Sequence, residues 1–317
     1  MKKLFLIKHP ELFQGEKKLK MKKVYFEGWY FKNANKESCI SFIPGININY
    51  EKQQAFIQII TSNSSYYVSY DINEFSFNHD PFYIKIGNNI FSKNSIHIDI
   101  YDKLQNLIIN GDISYSNHQN ISTNWLNPNI MGPFSYIPFM ECNHAIISIK
   151  SNIEGKITLN DEIFNFQEDI GYIEKDWGCS FPKNYIWCQG NNFQNKNVSF
   201  MLSTANIPFK IFHFNGLICS LIIDNKEYRF ATYNGSKIIK CDIQDNHLNI
   251  TLKKRNYYLD IQATYDNSHK LLAPIKGNMT KNILESISTT IQITLRKKEK
   301  ILFSDTSTNC GLEIVNS

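Results

Sequence analysis

The chain has 317 residues, 42% of them hydrophobic and 20% charged, which is enough to bury a sizeable core and too apolar for disorder. The net charge of +5 is spread over short clusters such as Lys17-Lys18, Lys22-Lys23 and Arg296-Lys297-Lys298, so no nucleic-acid partner is expected. The seven cysteines are odd in number and contain no C-x-x-C pair, which argues against a disulfide framework and a zinc site and for a reducing compartment.

Residues 1–23 are basic and mixed and read as an arm leading into the fold. Their apolar run, Leu4 to Ile7, is too short for a signal-peptide core, and no stretch approaches a membrane span. The expectation is a soluble, cytoplasmic protein. From Val24 onward nearly every segment has strand character. The candidates are Val24–Lys32, Ser38–Pro44, Ala55–Thr61, Tyr66–Asp71, Phe82–Ile86, Ser95–Tyr101, Leu107–Ser114, His144–Lys150 and Lys156–Leu159. After a central stretch come Val198–Thr204, Phe209–Phe214, Leu217–Asp224, Glu227–Tyr233, Lys237–Asp242, His247–Lys253, Tyr257–Ala263, Thr289–Leu295 and Leu312–Val315. These segments are β-branched or aromatic and separated by turns such as Asp224-Asn225 and Asn234-Gly235. The best helix candidate is a turn or two around Asn282–Ser286. Many short strands without alternating helices predict an all-β fold of two antiparallel barrel-like units. The division is placed near 205, giving units 1–205 and 206–317, with no internal sequence repeat.

The stretch Asn124–Met140 breaks the strand rhythm. Its prolines Pro128, Pro133 and Pro138 forbid a central strand, yet it is strongly apolar. It reads either as a segment covering an apolar pocket or as a plug under a barrel end.

Three segments place acids among aromatic rings. Period-2 alternation puts Tyr172, Glu174 and Asp176 on one face of the central stretch and Ile173, Lys175 and Trp177 on the other. The following strand, Tyr185 to Gln189, presents Tyr185 and Trp187 together. Glu27 shares a face with Tyr25, Trp29 and Phe31, and because both faces of that strand are apolar its carboxyl is desolvated. In Glu141–Ile149, alternation groups Glu141 and Asn143 with Ala145, Ile147 and Ile149 as the interior face, leaving His144 beside Ser148 and Lys150. Each residue also has a plain structural reading: Glu27 ion-paired to a neighbouring Lys or Arg, His144 hydrogen-bonded, Asp176 fixing the turn at Gly178. The histidines form no H-x-H or H-x-x-x-H pair, so no metal is assigned, and without a Gly-rich phosphate loop or G-x-S-x-G elbow no nucleotide or serine-hydrolase chemistry is expected.

The blocks Tyr25-Phe26-Glu27-Gly28-Trp29-Tyr30-Phe31-Lys32, Met131-Gly132-Pro133-Phe134, Asn143-His144 and Glu174-Lys175-Asp176-Trp177-Gly178 with Trp187 resemble, in order, the tocopherol cyclase family. The approach segment His9–Gly15 looks like that family's N-terminal arm. The resemblance runs over most of the first 205 residues and is weak over the last hundred. More distantly, the Asp-Trp-Gly block is similar to hydroxyneurosporene synthase and lipocalin-like Diels–Alderases. It implies two lipocalin-like barrels in tandem and a ring closure in which an acid protonates an alkene and a phenol oxygen captures the cation. No cofactor is required, and the partner is a prenylated hydrophobic small molecule, with transient contact at a membrane surface. On this reading Asp176 or Glu174 donates the proton, with Asp176 favoured, and Glu27 or Glu141 is the second acid or base. Trp29, Trp177, Tyr185 and Trp187 face the cation, and Asn143 or His144 orients the phenol. The alternatives are a non-enzymatic carrier using the same cavity and an interaction module with filled barrels.

Overall fold

The computed structural model describes residues 2–138, 140–209, 212–266 and 268–316. Phe139 of the apolar stretch, and Lys210 and Ile211 of the strand expected at Phe209–Phe214, lie outside the described residues. The arm carries α1 (Lys2–Lys8) and α2 (Glu16–Lys20). The first sheet holds β1 (Tyr25–Ala34), β2 (Cys39–Ile48), β3 (Gln53–Thr61), β4 (Ser65–Asp71), β5 (Phe75–His79), β6 (Phe82–Ile86), β7 (Asn89–Ser92), β8 (Ser95–Asp102), β9 (Leu107–Gln119), β10 (Cys142–Leu159) and β11 (Glu162–Gly178). The second holds β12 (Tyr185–Gly190), β13 (Asn192–Phe193), β14 (Val198–Phe209), β15 (Phe212–Ile223), β16 (Lys226–Ala231), β17 (Lys237–Gln244), β18 (His247–Lys254), β19 (Tyr257–Thr264), β20 (His269–Ile275), β21 (Asn278–Lys297) and β22 (Lys300–Val315). Among the described residues no helix is long and apolar enough to cross a membrane.

These are the two tandem antiparallel lipocalin-like barrels expected, and they repeat one topology. In the first sheet β1 pairs with both β2 and the last strand β11, and the edges β4 and β5 are consecutive in sequence. In the second, β12 pairs with both β14 and the last strand β22. The duplication is therefore visible in strand order although no sequence repeat betrays it. The sheets divide between Gly178 and Tyr185. The boundary placed at 205/206 falls inside β14, because β12 and β14 hydrogen-bond to each other and belong to the second barrel.

The Asn282–Ser286 segment is strand and not helix, lying within the 20-residue β21 and paired along β20 and β22. Ladder pairing with neighbouring strands wins there over local propensity. The turn at Asp224-Asn225 is as expected, with both residues at positive φ (47° and 65°) closing the β15–β16 hairpin.

Alternation divides the apolar side chains among three cores. One fills the first barrel, with Trp29, Phe31, Phe42 and Ile173, and the arm adds Leu12 and Phe13. A second fills the other barrel, with Ile186, Cys188, Leu202 and Leu312. The third lies between the barrels and joins Tyr30, Tyr172, Tyr185, Trp187 and Met131. Strands β1 and β12 are buried on both faces because one faces its own barrel's interior and the other faces this shared layer. Each buried Ile, Leu or Phe contributes about 1.5–3 kcal/mol, so packing side chains into both interiors is strongly favoured over leaving them hollow.

Candidate active site between the barrels

The cavity lies in the shared layer. Its volume is about 160 Å³, and its walls are mostly apolar, drawn from β1, β2, β3, β10 and β11 of the first barrel and β12, β14, β15, β20, β21 and β22 of the second. The stretch after β9 supplies Met131, Phe134 and Met140 to the lining, which fits the covering segment and not the barrel plug. Tyr233 holds it down by donating its hydroxyl to the Ile130 carbonyl at 3.0 Å, and Phe134 stacks on Phe214.

Three polar groups of the first barrel meet in this wall. Alternation in β11 turns Glu174 and Asp176 to the cavity and Lys175 away, and the β10–β11 ladder sets His144 opposite Asp176. His144 Nδ1 lies 2.9 Å from Asp176 Oδ1, and Nε2 lies 3.3 Å from Glu174 Oε2. The same Glu174 oxygen accepts the Tyr172 hydroxyl and the Trp187 indole N–H at 3.0 Å. Burial pushes the Glu174 carboxyl up to about 7, against the opposing pull of His144. Burial alone drags the His144 imidazole down, but Asp176 and then Glu174 outweigh it and hold it up at about 9. The imidazolium therefore hydrogen-bonds Asp176 through Nδ1, while its Nε2 stands at ion-pair distance from Glu174 without a hydrogen bond among the described residues. Ligand atoms of His144, Glu174 and Asp176 lie within 4.8 Å of one another, a donor set that can hold a divalent cation. As placed, however, the two acids sit on opposite nitrogens of one ring. A single ion reaches one nitrogen only, so chelation by all three requires a carboxylate to swing.

The second barrel adds two acids that sequence reasoning missed. Glu313 on β22 lines the cavity and accepts the Tyr185 hydroxyl at 2.5 Å. Glu285 on β21 faces Glu313 in the ladder and accepts the Tyr30 hydroxyl at 2.5 Å, while its Oε2 is buried with no hydrogen-bond partner among the described residues. Burial pushes Glu285 to about 7 and raises Glu313 well above the usual carboxylate range. The signal that singled out Glu27, a lone acid in an apolar strand, is present in Ile283-Leu284-Glu285 and in Leu312-Glu313-Ile314.

Of the residues expected at the site, His144, Glu174, Asp176, Tyr185 and Trp187 line the cavity together. Glu27, Trp29 and Trp177 face the first barrel's interior instead. There Glu27 is fully buried and ion-paired to Lys175 at 2.5 Å, with its carboxylate accepting the Gln14 backbone N–H and the Tyr25 hydroxyl. Lys175 Nζ lies between the Trp29 and Trp177 rings, 4.7 and 5.0 Å from their centroids, and donates to the carbonyls of Pro10 and Leu12. Glu141 is exposed, and its carbonyl accepts from the Cys179 and Ser180 backbone. Asn143 donates to the Trp177 carbonyl at 3.2 Å and faces away from the cavity with Ala145. The interior face read across Glu141 to Ile149 does not persist, because a bulge between Ile146 and Ser148 brings Ile149 onto the His144 side.

A family model described as tocopherol cyclase-like matches residues 109–315. The match omits the Tyr25–Lys32 and His9–Gly15 blocks and extends through the last hundred residues, where the resemblance is expected to be weak. A probable chloroplastic tocopherol cyclase of Oryza sativa subsp. japonica is 26% identical over 138 residues, which is 42% of this chain and 29% of that protein's length. The solved structure of CghA with Sch210972 superposes with a TM-score of 0.58 at 6% identity, covering 93% of this chain and 89% of that one. A putative AttH from Nitrosomonas europaea gives 0.52 at 10% identity, covering 92% and 93%. At these identities the two structures speak for the fold alone.

Proposed function

The chain belongs to the tocopherol cyclase-like family, and from that premise we propose that the cavity between its barrels closes a ring on a prenylated quinol by acid catalysis, without a cofactor. The observation that carries this reading is Glu174, a carboxyl held near neutrality in the wall of an apolar cavity among aromatic rings. Its Oε2 already accepts from the Tyr172 hydroxyl and the Trp187 indole, so the transferable proton is assigned to Oε1. Glu174 is preferred to Asp176 because it is the deeper acid, with its side chain 5% exposed against 24%. Protonation of the alkene leaves a Glu174 carboxylate and a tertiary cation. The His144 imidazolium, the Tyr172 hydroxyl and the Trp187 indole then stabilise the new anion, which makes the acid stronger as it acts. The phenol oxygen attacks the cation and loses its proton, so the product is an isomer of the substrate. Tyr30, Tyr185 and Trp187 rings border the cavity, and a ring face stabilises a nearby cation by about 0.5–2 kcal/mol. The volume of about 160 Å³ accommodates on the order of ten non-hydrogen atoms. That corresponds to a substituted quinol ring or a comparable head group, with a longer chain running out under Met131 and Phe134.

The experiment is mass spectrometry of the lipid extract of gently purified protein, followed by incubation with prenylated quinols. Conversion to an isomer of equal mass by wild type, lost in Glu174→Gln, is the expected result. A ligand that co-purifies and is never converted by wild type identifies a carrier instead. A second reading rests on the His144–Glu174–Asp176 donor set: loss of turnover on chelation, restored by one divalent ion, would replace proton donation with Lewis-acid chemistry.

A further inference from the structure

The two barrels present equivalent strands to the cavity. In the first, the last strand supplies Glu174 and Asp176, with Tyr30 of the first strand opposite Glu174 and His144 of the penultimate strand opposite Asp176. In the second, the last strand supplies Glu313, with Trp187 of the first strand and Glu285 of the penultimate strand opposite it. The arrangements are also tied across the barrels, Tyr30 donating to Glu285 and Trp187 donating to Glu174. They differ in charge. The acids of the first barrel have a cationic partner in His144, whereas Glu313 faces a second carboxyl.

We propose that Glu313, hydrogen-bonded to Tyr185 and set opposite Glu285, binds the phenolic hydroxyl of the ligand and takes up its proton. A cationic neighbour suits a group that ends its step as an anion, which is Glu174. Two facing carboxyls resist double ionisation, so one of the pair is protonated while the other is the carboxylate that accepts the phenol's hydrogen bond and proton. Glu313 is the member that reaches the ligand, since it lines the cavity, while the fully buried Glu285 acts behind it. Burial and then Glu285 raise Glu313, which strengthens it as a base in the form where Glu285 carries the pair's proton and Glu313 is the carboxylate. The protons balance: Glu174 gives one to the alkene carbon, the phenol oxygen forms the C–O bond, and the O–H proton passes to Glu313. Return of that proton to Glu174 through solvent restores both groups. This deepens the ring-closure reading and rests on it for the reaction, but the binding role is measured separately.

The test compares equilibrium binding of a short-chain prenylated hydroquinone with that of its phenol methyl ether, followed by quenching of tryptophan fluorescence. Turnover of the quinol is measured in parallel. Wild type is expected to bind the free phenol at least about tenfold tighter than the ether, because a donor to a carboxylate is lost in the ether. Glu313→Gln is expected to reduce that ratio to about threefold or less and Glu313→Asp to restore it, each with a thermal melt confirming a folded protein. Glu174→Gln keeps the ratio and loses turnover. Equal binding of phenol and ether by wild type overturns the proposal, as does a full tenfold ratio in folded Glu313→Gln. If wild type shows the Glu313-dependent ratio and no turnover, the phenol site stands and the ring-closure reading falls.

Discussion

Glu174 is pulled two ways: burial favours the neutral acid, and the His144 charge with the Tyr172 and Trp187 hydrogen bonds favours the anion. A balance near 7 leaves a population of protonated acid at physiological pH. The acid form is the active one, so turnover is expected to fall as pH rises through about 7, and the pH–rate profile measures this directly. Glu174→Gln keeps the shape and removes the proton, with an expected loss of 10²–10⁴-fold in kcat, roughly the range for general acids. Asp176→Asn removes the main support of the His144 cation and is expected to cost less. An Asp176→Asn loss larger than that of Glu174→Gln in the same assay would reassign the donor. Alternation alone separated Glu174 and Asp176 from Lys175, because an unbulged strand keeps its period. It did not bring His144 to them, since cross-strand neighbours are distant in sequence, and the β10 bulge breaks the pattern a few residues further on.

Strand β11 works on both faces at once. The lysine between the two cavity acids anchors the arm: Lys175 binds Glu27, the Pro10 and Leu12 carbonyls and two indole rings. Removing one partner of a buried pair leaves the other charge uncompensated and costs about 3–5 kcal/mol. Lys175→Met is therefore expected to destabilise by roughly that amount in chemical denaturation and to expose the 9–14 segment to protease. Adding Glu27→Gln to it should recover part of the loss, and a double mutant as unstable as the sum of the singles would show that the pair is not the source. The covering segment offers a second handle. Gly132 has φ +57°, and a Cβ there would meet the Tyr233 ring at 2.7 Å. Gly132→Ala is expected to lift the segment and weaken ligand binding, with little effect on global stability, as read by fluorescence titration beside a thermal melt.

At the scale of the whole molecule, the all-β class and the tandem barrels were legible because strand length, β-branched composition and turn residues agree locally. The position of the cavity was not. Whether a barrel is hollow depends on how its inward faces fill, and here each interior holds a cluster of buried apolar side chains while the outer faces of β1, β11 and β12 meet. Two of its acids went unseen because Glu285 and Glu313 lie outside the blocks that carry the resemblance and meet only through the β21–β22 ladder. Gathering these groups in a dry layer has a consequence for stability. The folded-state values of Glu174 and Glu285 lie at about 7 and that of His144 at about 9, all above their ordinary values. Each group thus contributes stability that is complete below its unfolded pKa and lost as pH rises through the folded one. For the glutamates the loss runs from about 4.5 to about 7, and for His144 from about 6.5 to about 9. Each shift corresponds to roughly 3 kcal/mol. The melting temperature is expected to decline from mildly acidic to mildly alkaline pH. Glu285→Gln, which deletes an ionisable group whose second oxygen is unpartnered, should flatten the acid half of that decline and melt higher than wild type at pH about 8. A variant whose melting curve runs parallel to wild type across the whole range would mean that Glu285 titrates normally and that the shared layer is wetter than its packing implies.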